Sequence, residues 1–204
     1  MARITDTTRF SRYKSYAKDT YYHIYNRGNG KQNIFLSNND YLFYINRLEK
    51  AVKKHDVELI SYVLMPNHIH LLAKQKTETP IHKFISSLHT SYSMYFNKKN
   101  NRVGHLFQDR FKQVIVESDE QLLYLTKYIH RNPVEAGMVA TPSEYPWSSY
   151  HEYVRSLPWN LCTTTTIMSL LGAQPETFAL QYGTFCTNGF LEKEMNKIGE
   201  MSLE

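Results

Sequence analysis

Two kinds of apolar spacing divide the chain. Tyr21 to Asn26 (YYHIYN) is aromatic and β-branched, which predicts a strand, and Arg27-Gly28-Asn29-Gly30 ends it as a turn. Asn39 or Asp40 can cap a helix to about His55, whose apolar Leu42, Ile45, Leu48 and Val52 are spaced for one buried face. Val57 to Met65 (VELISYVLM) returns to strand character. Pro66-Asn67 then turns it into a second strand, His68 to Lys74, which predicts a hairpin. Pro80 opens a helix carrying Phe84, Ile85, Leu88, Tyr92 and Tyr95, which stops in the polar run of residues 97–101. Phe111 to Glu117 is a fourth strand. Ser118 caps a last long helix from Asp119 to about Arg131, which Pro133 interrupts before Gly137 ends the segment.

The predicted order is β-α-β-β-α-β followed by a helix. That is an α+β chain of the ferredoxin-like or RRM-like kind, a split βαβ sheet with helices on one face. Residues 1–19 read as a basic arm, 20–152 as the sheet domain with its extra helix, and 153–204 as a C-terminal extension. Residues 141–160 predict an irregular segment packed by its tryptophans, followed by two weak helices near 165–171 and 174–181 and a polar end.

Composition narrows the function classes. At 204 residues and 42% hydrophobic, there is material for a true core. No apolar run approaches the ~18 residues needed to cross a bilayer. Residues 1–20 lack the apolar stretch of a secretory signal, so the expected location is the cytoplasm and no membrane partner is expected. Two cysteines, Cys162 and Cys186, provide neither a disulfide framework nor a CxxC pair. The formal charge of +5 is uneven: residues 1–31 carry a net +5 and residues 82–131 a net +4, while residues 152–204 carry −3. Basic groups interleaved with 16 tyrosines suit phosphates and unpaired bases, and hence single-stranded nucleic acid.

Candidate chemistry concentrates in two places. On a strand, residues two apart share a face, so His68 and His70 of MPNHIHLL present two imidazoles to one side, as one divalent ion would require. On the last helix, Tyr124, Tyr128 and Asn132 fall at four-residue spacing on one face. A tyrosine hydroxyl beside a metal can serve as a nucleophile, and an asparagine oxygen one turn on can serve as a third ligand. By themselves, such histidine pairs also occur as core or surface residues, and a tyrosine stripe also occurs as packing.

Taken together, MPNHIHLL, YIHRNPVEAG about 60 residues later, YHIYNRG at the start and HLFQDRFK between them resemble the single-tyrosine HUH transposases. The branch they are most similar to is the REP-associated tyrosine transposases, and the resemblance covers roughly residues 20–152. It implies a metal-dependent enzyme that cuts and rejoins single-stranded DNA near hairpins through a 5′-phosphotyrosine. By position it implies Tyr128 as nucleophile and His68, His70 and Asn132 as ligands of Mg²⁺ or Mn²⁺. Some branches place Gln where Asn132 stands. Around such a site Arg27, Arg110, Lys112 and Arg131 are candidate phosphate contacts, and Tyr22 and Phe107 candidate stacking rings. His23 and His105 could also face the site but stay outside the metal set. The resemblance leaves both a homodimer and a monomer open. The rival readings are a relaxase or replication initiator, a non-cleaving ferredoxin-like nucleic-acid-binding module, and a zinc hydrolase. A zinc hydrolase would want a further His or acidic ligand near the pair.

Overall fold

A computed structural model describes residues 17–154 and 160–198. Most of the expected basic arm, and Trp159 with Pro158, lie outside the described residues. The chain forms β1 (Thr20–Arg27), α1 (Asn38–His55), β2 (Val57–Met65), β3 (His68–Gln75), α2 (Ile81–Lys99), β4 (Lys112–Ile115) and α3 (Asp119–Glu135). The sheet order is β2-β3-β1-β4, with every neighbouring pair antiparallel. That is the split βαβ arrangement the pattern predicts. β3 pairs between β1 and β2, and β1 between β3 and β4, so each crossover helix spans an intervening strand.

Alternation along the strands gives the sheet two apolar faces. Tyr22 and Ile24 of β1, Tyr62 and Leu64 of β2, and Ile69 and Leu71 of β3 pack under α1 and α2. Ile60, Val63, Met65 and Leu72 face the other way, under α3 and the chain that follows it. A bulge between Leu59 and Ser61 sets this register on β2. On α1 Leu48 is buried and Ile45 and Val52 pack against the core as predicted, but Tyr41, Tyr44 and Ala51 complete the buried face and Leu42 is 48% exposed. Aromatic rings decide the rotation. Tyr41 stacks on Phe35 and Trp147 at centroid distances of 4.3 and 4.4 Å, burying more surface than Leu42 could.

α3 does not stop before its proline. Ser118 Oγ accepts from the Gln121 amide at its start, and the helix continues through Pro133 to Glu135. Pro133 falls in the last turn. There the Met138 amide donates to Pro133 O and the Gly137 amide to Val134 O, a Schellman end with Gly137 at φ +67°. Only one helical hydrogen bond is forfeited, so Asn132 stays helical.

The chain beyond α3 clasps both the sheet and the helix. The outer edge of β2 is closed by backbone bonds from Leu64 N to Trp147 O, Ser149 N to Tyr62 O and Thr163 N to Leu59 O. Trp147, half-buried, packs against both cores as the sequence predicts, and Tyr145 and Tyr153 add to it by donating to Leu64 O and Ile60 O. Further on come α4 (Tyr150–Tyr153), α5 (Thr165–Leu170), α6 (Phe178–Thr187) and α7 (Glu192–Ile198). α6 begins about four residues later than expected, and α7 replaces the expected polar end. Among the described residues no helix is long and apolar enough to cross a membrane.

Candidate active site

Strand alternation puts His68 and His70 on the face covered by α3, while Ile69 and Leu71 go into the opposite core. The two rings lie 5.2 Å apart and nearly perpendicular. The Tyr128 ring stands edge-on to His70 at 5.7 Å, and Asn132 Oδ1 is 3.1 Å from His68 Nε2. Both histidines, Tyr128 and Asn132 therefore meet within one chain, with Tyr128 only 9% exposed.

The hydrogen bonds around His68 fix what it offers. The Asn67 amide nitrogen donates to Lys31 O, which turns Asn67 Oδ1 toward His68 Nδ1 at 2.7 Å. A neutral imidazole has one N–H. In the tautomer that gives this hydrogen to Asn67, the shorter of the two contacts, Nε2 of His68 offers a lone pair beside the carbonyl oxygen of Asn132. His70 Nε2 is buried and has no hydrogen-bond partner. Two imidazole nitrogens, each bare in one of its tautomers, and an amide oxygen suit a divalent cation, so the residues present fit the metal the resemblance implies. Among the described residues no three His, Cys, Asp or Glu groups are arranged to hold a metal ion; the third donor here is an amide.

Burial lowers the affinity of both imidazoles for a second proton. For His68, the Asn132 contact opposes that effect and the Arg27 charge adds to it. For His70, the neighbouring His23 and His68 and the Arg27 charge add to the burial. Both are neutral near pH 7, the form that ligates metal.

Arg27 pairs with His68 across β1 and β3. Arg27, Arg110 and Lys112 line one cleft of about 180 Å³ together with Tyr25, Asn26, Gln108 and Asp109. Next to Arg27 in the chain, the amide of Gly28 donates to Asn67 O. A Cβ on Gly28 would come within 2.2 Å of Gln32 O, so no other residue fits there.

Three expected contacts lie elsewhere. Arg131 is not available to DNA: it is 9% exposed, donates to Cys186 O and Thr187 O, and pairs with Glu135 at 2.7 Å. Successive helix residues differ by about 100°, so it points away from Asn132 into the extension. Tyr22 is fully buried in the core beneath α1 and α2. Phe107 is stacked on His89 at 4.1 Å and closed to bases. His105 is exposed and lines an adjoining opening, which shares Gln108, Asp109 and Arg110 with the Arg27 cleft. Tyr124 packs near Phe185, at 6.4 Å. By spacing alone Asn67 reads only as a turn residue, and its contact with His68 does not show. Its position directly before the first histidine was the available signal.

The family described as "Transposase IS200 like" matches residues 16–132. A Haemophilus influenzae protein described as a REP-associated tyrosine transposase is 27% identical over 127 residues, covering 55% of this chain and 72% of that protein. The solved structure of a REP-associated tyrosine transposase bound to a REP hairpin shares the fold. Its TM-score is 0.58 at 17% identity, over 80% of this chain and 92% of that one. The family match spans β1 through Asn132 and takes in both histidines and the tyrosine, and on that extent this chain belongs to the IS200-like transposases.

Proposed function

We propose that this transposase cuts and rejoins single-stranded DNA beside a hairpin, with Tyr128 as the nucleophile. The observation that carries the reading is the meeting of Tyr128 and Asn132, on adjoining turns of α3, with the paired histidines of β3. His68, His70 and Asn132 would hold Mg²⁺ or Mn²⁺, which supplies polarisation of the scissile phosphate when bound. Tyr128 Oη attacks phosphorus and loses its proton as the bond to the 3′ oxygen breaks. That leaves a 5′-phosphotyrosine and a free 3′-hydroxyl. The diester bond is exchanged and not hydrolysed, so the reverse attack by a 3′-hydroxyl reseals the strand without ATP.

Arg27, Arg110 and Lys112 border one cleft and would neutralise the backbone leading to the site. The hairpin preference rests on the structural neighbour bound to such a DNA and is a proposal for this chain. Since one chain contributes the tyrosine and all three ligands, a monomer suffices for one cut.

The test is incubation of labelled single-stranded hairpins with Mn²⁺ and either the wild-type chain or Tyr128→Phe. The expected result is a denaturant-resistant protein–DNA adduct that needs metal and is absent in the variant. Hairpin binding without any adduct across Mg²⁺ and Mn²⁺ would overturn the reading in favour of a non-cleaving binding module.

A further inference from the structure

Behind the site, two fully buried imidazoles share one hydrogen bond. His23 on β1 and His70 on β3 are both 0% exposed, with His23 Nε2 2.9 Å from His70 Nδ1 and the rings stacked at 5.1 Å and 11°. Burial without a carboxylate partner keeps such a pair neutral, so one hydrogen lies between the two nitrogens. Two arrangements are available. If His23 donates, His70 carries its own hydrogen on Nε2 and shows the site an N–H. If His70 donates from Nδ1, its Nε2 is bare. Only the second arrangement can ligate a cation.

We propose that His23 is a positioning residue: its Nε2 accepts the Nδ1 hydrogen of His70 and so holds the Nε2 lone pair of His70 toward the metal. The assignment rests on the metal-site reading above. Asn67 has the same relation to His68, so each ligand is backed at Nδ1 by an acceptor from a neighbouring position. The two backings differ in kind. The amide of Asn67 is fixed by Lys31 O, whereas His23 Nδ1 has no partner among the described residues. Nothing on the far side of His23 fixes its tautomer, so the pair can hold its hydrogen either way until a cation selects one arrangement.

The test uses the full chain without DNA. Mn²⁺ binding is followed by electron paramagnetic resonance for wild type, His23→Phe, His23→Gln and His70→Ala. The tautomer of His70 is read from ¹⁵N shifts with and without Mg²⁺. His23→Phe fills the space but cannot accept, and is expected to lose about 10- to 100-fold in Mn²⁺ affinity. His23→Gln restores an acceptor oxygen and most of the affinity. In wild type, Mg²⁺ is expected to move the His70 hydrogen onto Nδ1. A folded His23→Phe that binds Mn²⁺ as wild type does would overturn the role of His23 alone, whereas a His70 hydrogen on Nε2 with Mg²⁺ bound would overturn His70 as a ligand and the role of His23 with it. Wild-type binding that His70→Ala leaves unchanged would overturn the metal site itself. Should His23→Phe fail to fold, the ¹⁵N shifts of His23 in wild type with Mg²⁺ decide: Nε2 as acceptor supports the role and Nε2 as N–H overturns it.

Discussion

Asn67 connects a turn to a site. Its backbone carbonyl takes the Gly28 amide, its side-chain nitrogen reaches Lys31 O, and its oxygen holds one face of His68. Asn67→Ala would leave the hairpin paired through Val57–Met65 and His68–Gln75 but free His68 to change tautomer or rotate. We expect about 10- to 100-fold weaker metal binding, with cleavage recovering as Mn²⁺ is raised and the melting temperature little changed. A metal titration of hairpin cleavage checks this, and loss of cleavage that excess Mn²⁺ cannot restore would place Asn67 in the chemistry proper. At this scale the sequence was informative wherever local periodicity governs. The histidine pair follows from the two-residue repeat of a strand, and the bounds of β2 from β-branched residues meeting Pro66. Arg131 was not legible. Which side of a helix meets solvent depends on chain 55 residues further on, and no local pattern encodes that.

α3 carries Tyr128 and Asn132, the proposed nucleophile and ligand, on its front and is fastened at its back. Lys127 Nζ lies 3.0 Å from Glu194 Oε2, with both side chains almost wholly buried, and also bonds to Gly189 O. Phe185 and Phe190 flank the ammonium at 4.7 and 5.1 Å. Glu194→Gln strands a buried ammonium and is expected to cost about 3–5 kcal/mol, whereas Lys127→Met with Glu194→Leu should stay near wild-type stability. Urea unfolding of the three proteins distinguishes this from a pair that contributes nothing. The crossover helices and the hairpin were readable in the sequence because each has its own amphipathic period. The end of α3 was not, because Pro133 usually marks a stop, and only the Schellman bonds at Gly137 show how the helix absorbs it. α6 and α7 were also obscure: they bury few residues each, and their packing is dictated by α3.

The whole molecule keeps several histidines away from water. Burial pushes His23, His89 and His130 down to about 3. The unfolded chain protonates such groups near 6.5, so between that pH and about 3 the unfolded state binds more protons and folding stability falls with pH. Each group contributes up to about 1.4 kcal/mol per pH unit within that window. His89 lies in the sheet–helix core, stacked on Phe107 and away from the metal candidates. His89→Phe keeps a ring there, and its urea midpoint should fall less than that of wild type between pH 7 and pH 5. Equal falls would assign the acid sensitivity to the other histidines.

The alternation of β3 also constrains how a lineage of such chains can change. Ile69 and Leu71 build one core while His68 and His70 build the site, and both depend on the same two-residue repeat. Inserting or deleting one residue in the Pro66-Asn67 turn would swap the two sets, driving imidazoles into the hydrocarbon interior and leucine into the catalytic face. Such a change destroys architecture and activity in a single event. Under the proposed function, replacing either histidine is expected to remove activity and spare the architecture. Descendants that have lost cleavage yet still fold should therefore show altered letters at these positions, and a hairpin turn of unaltered length.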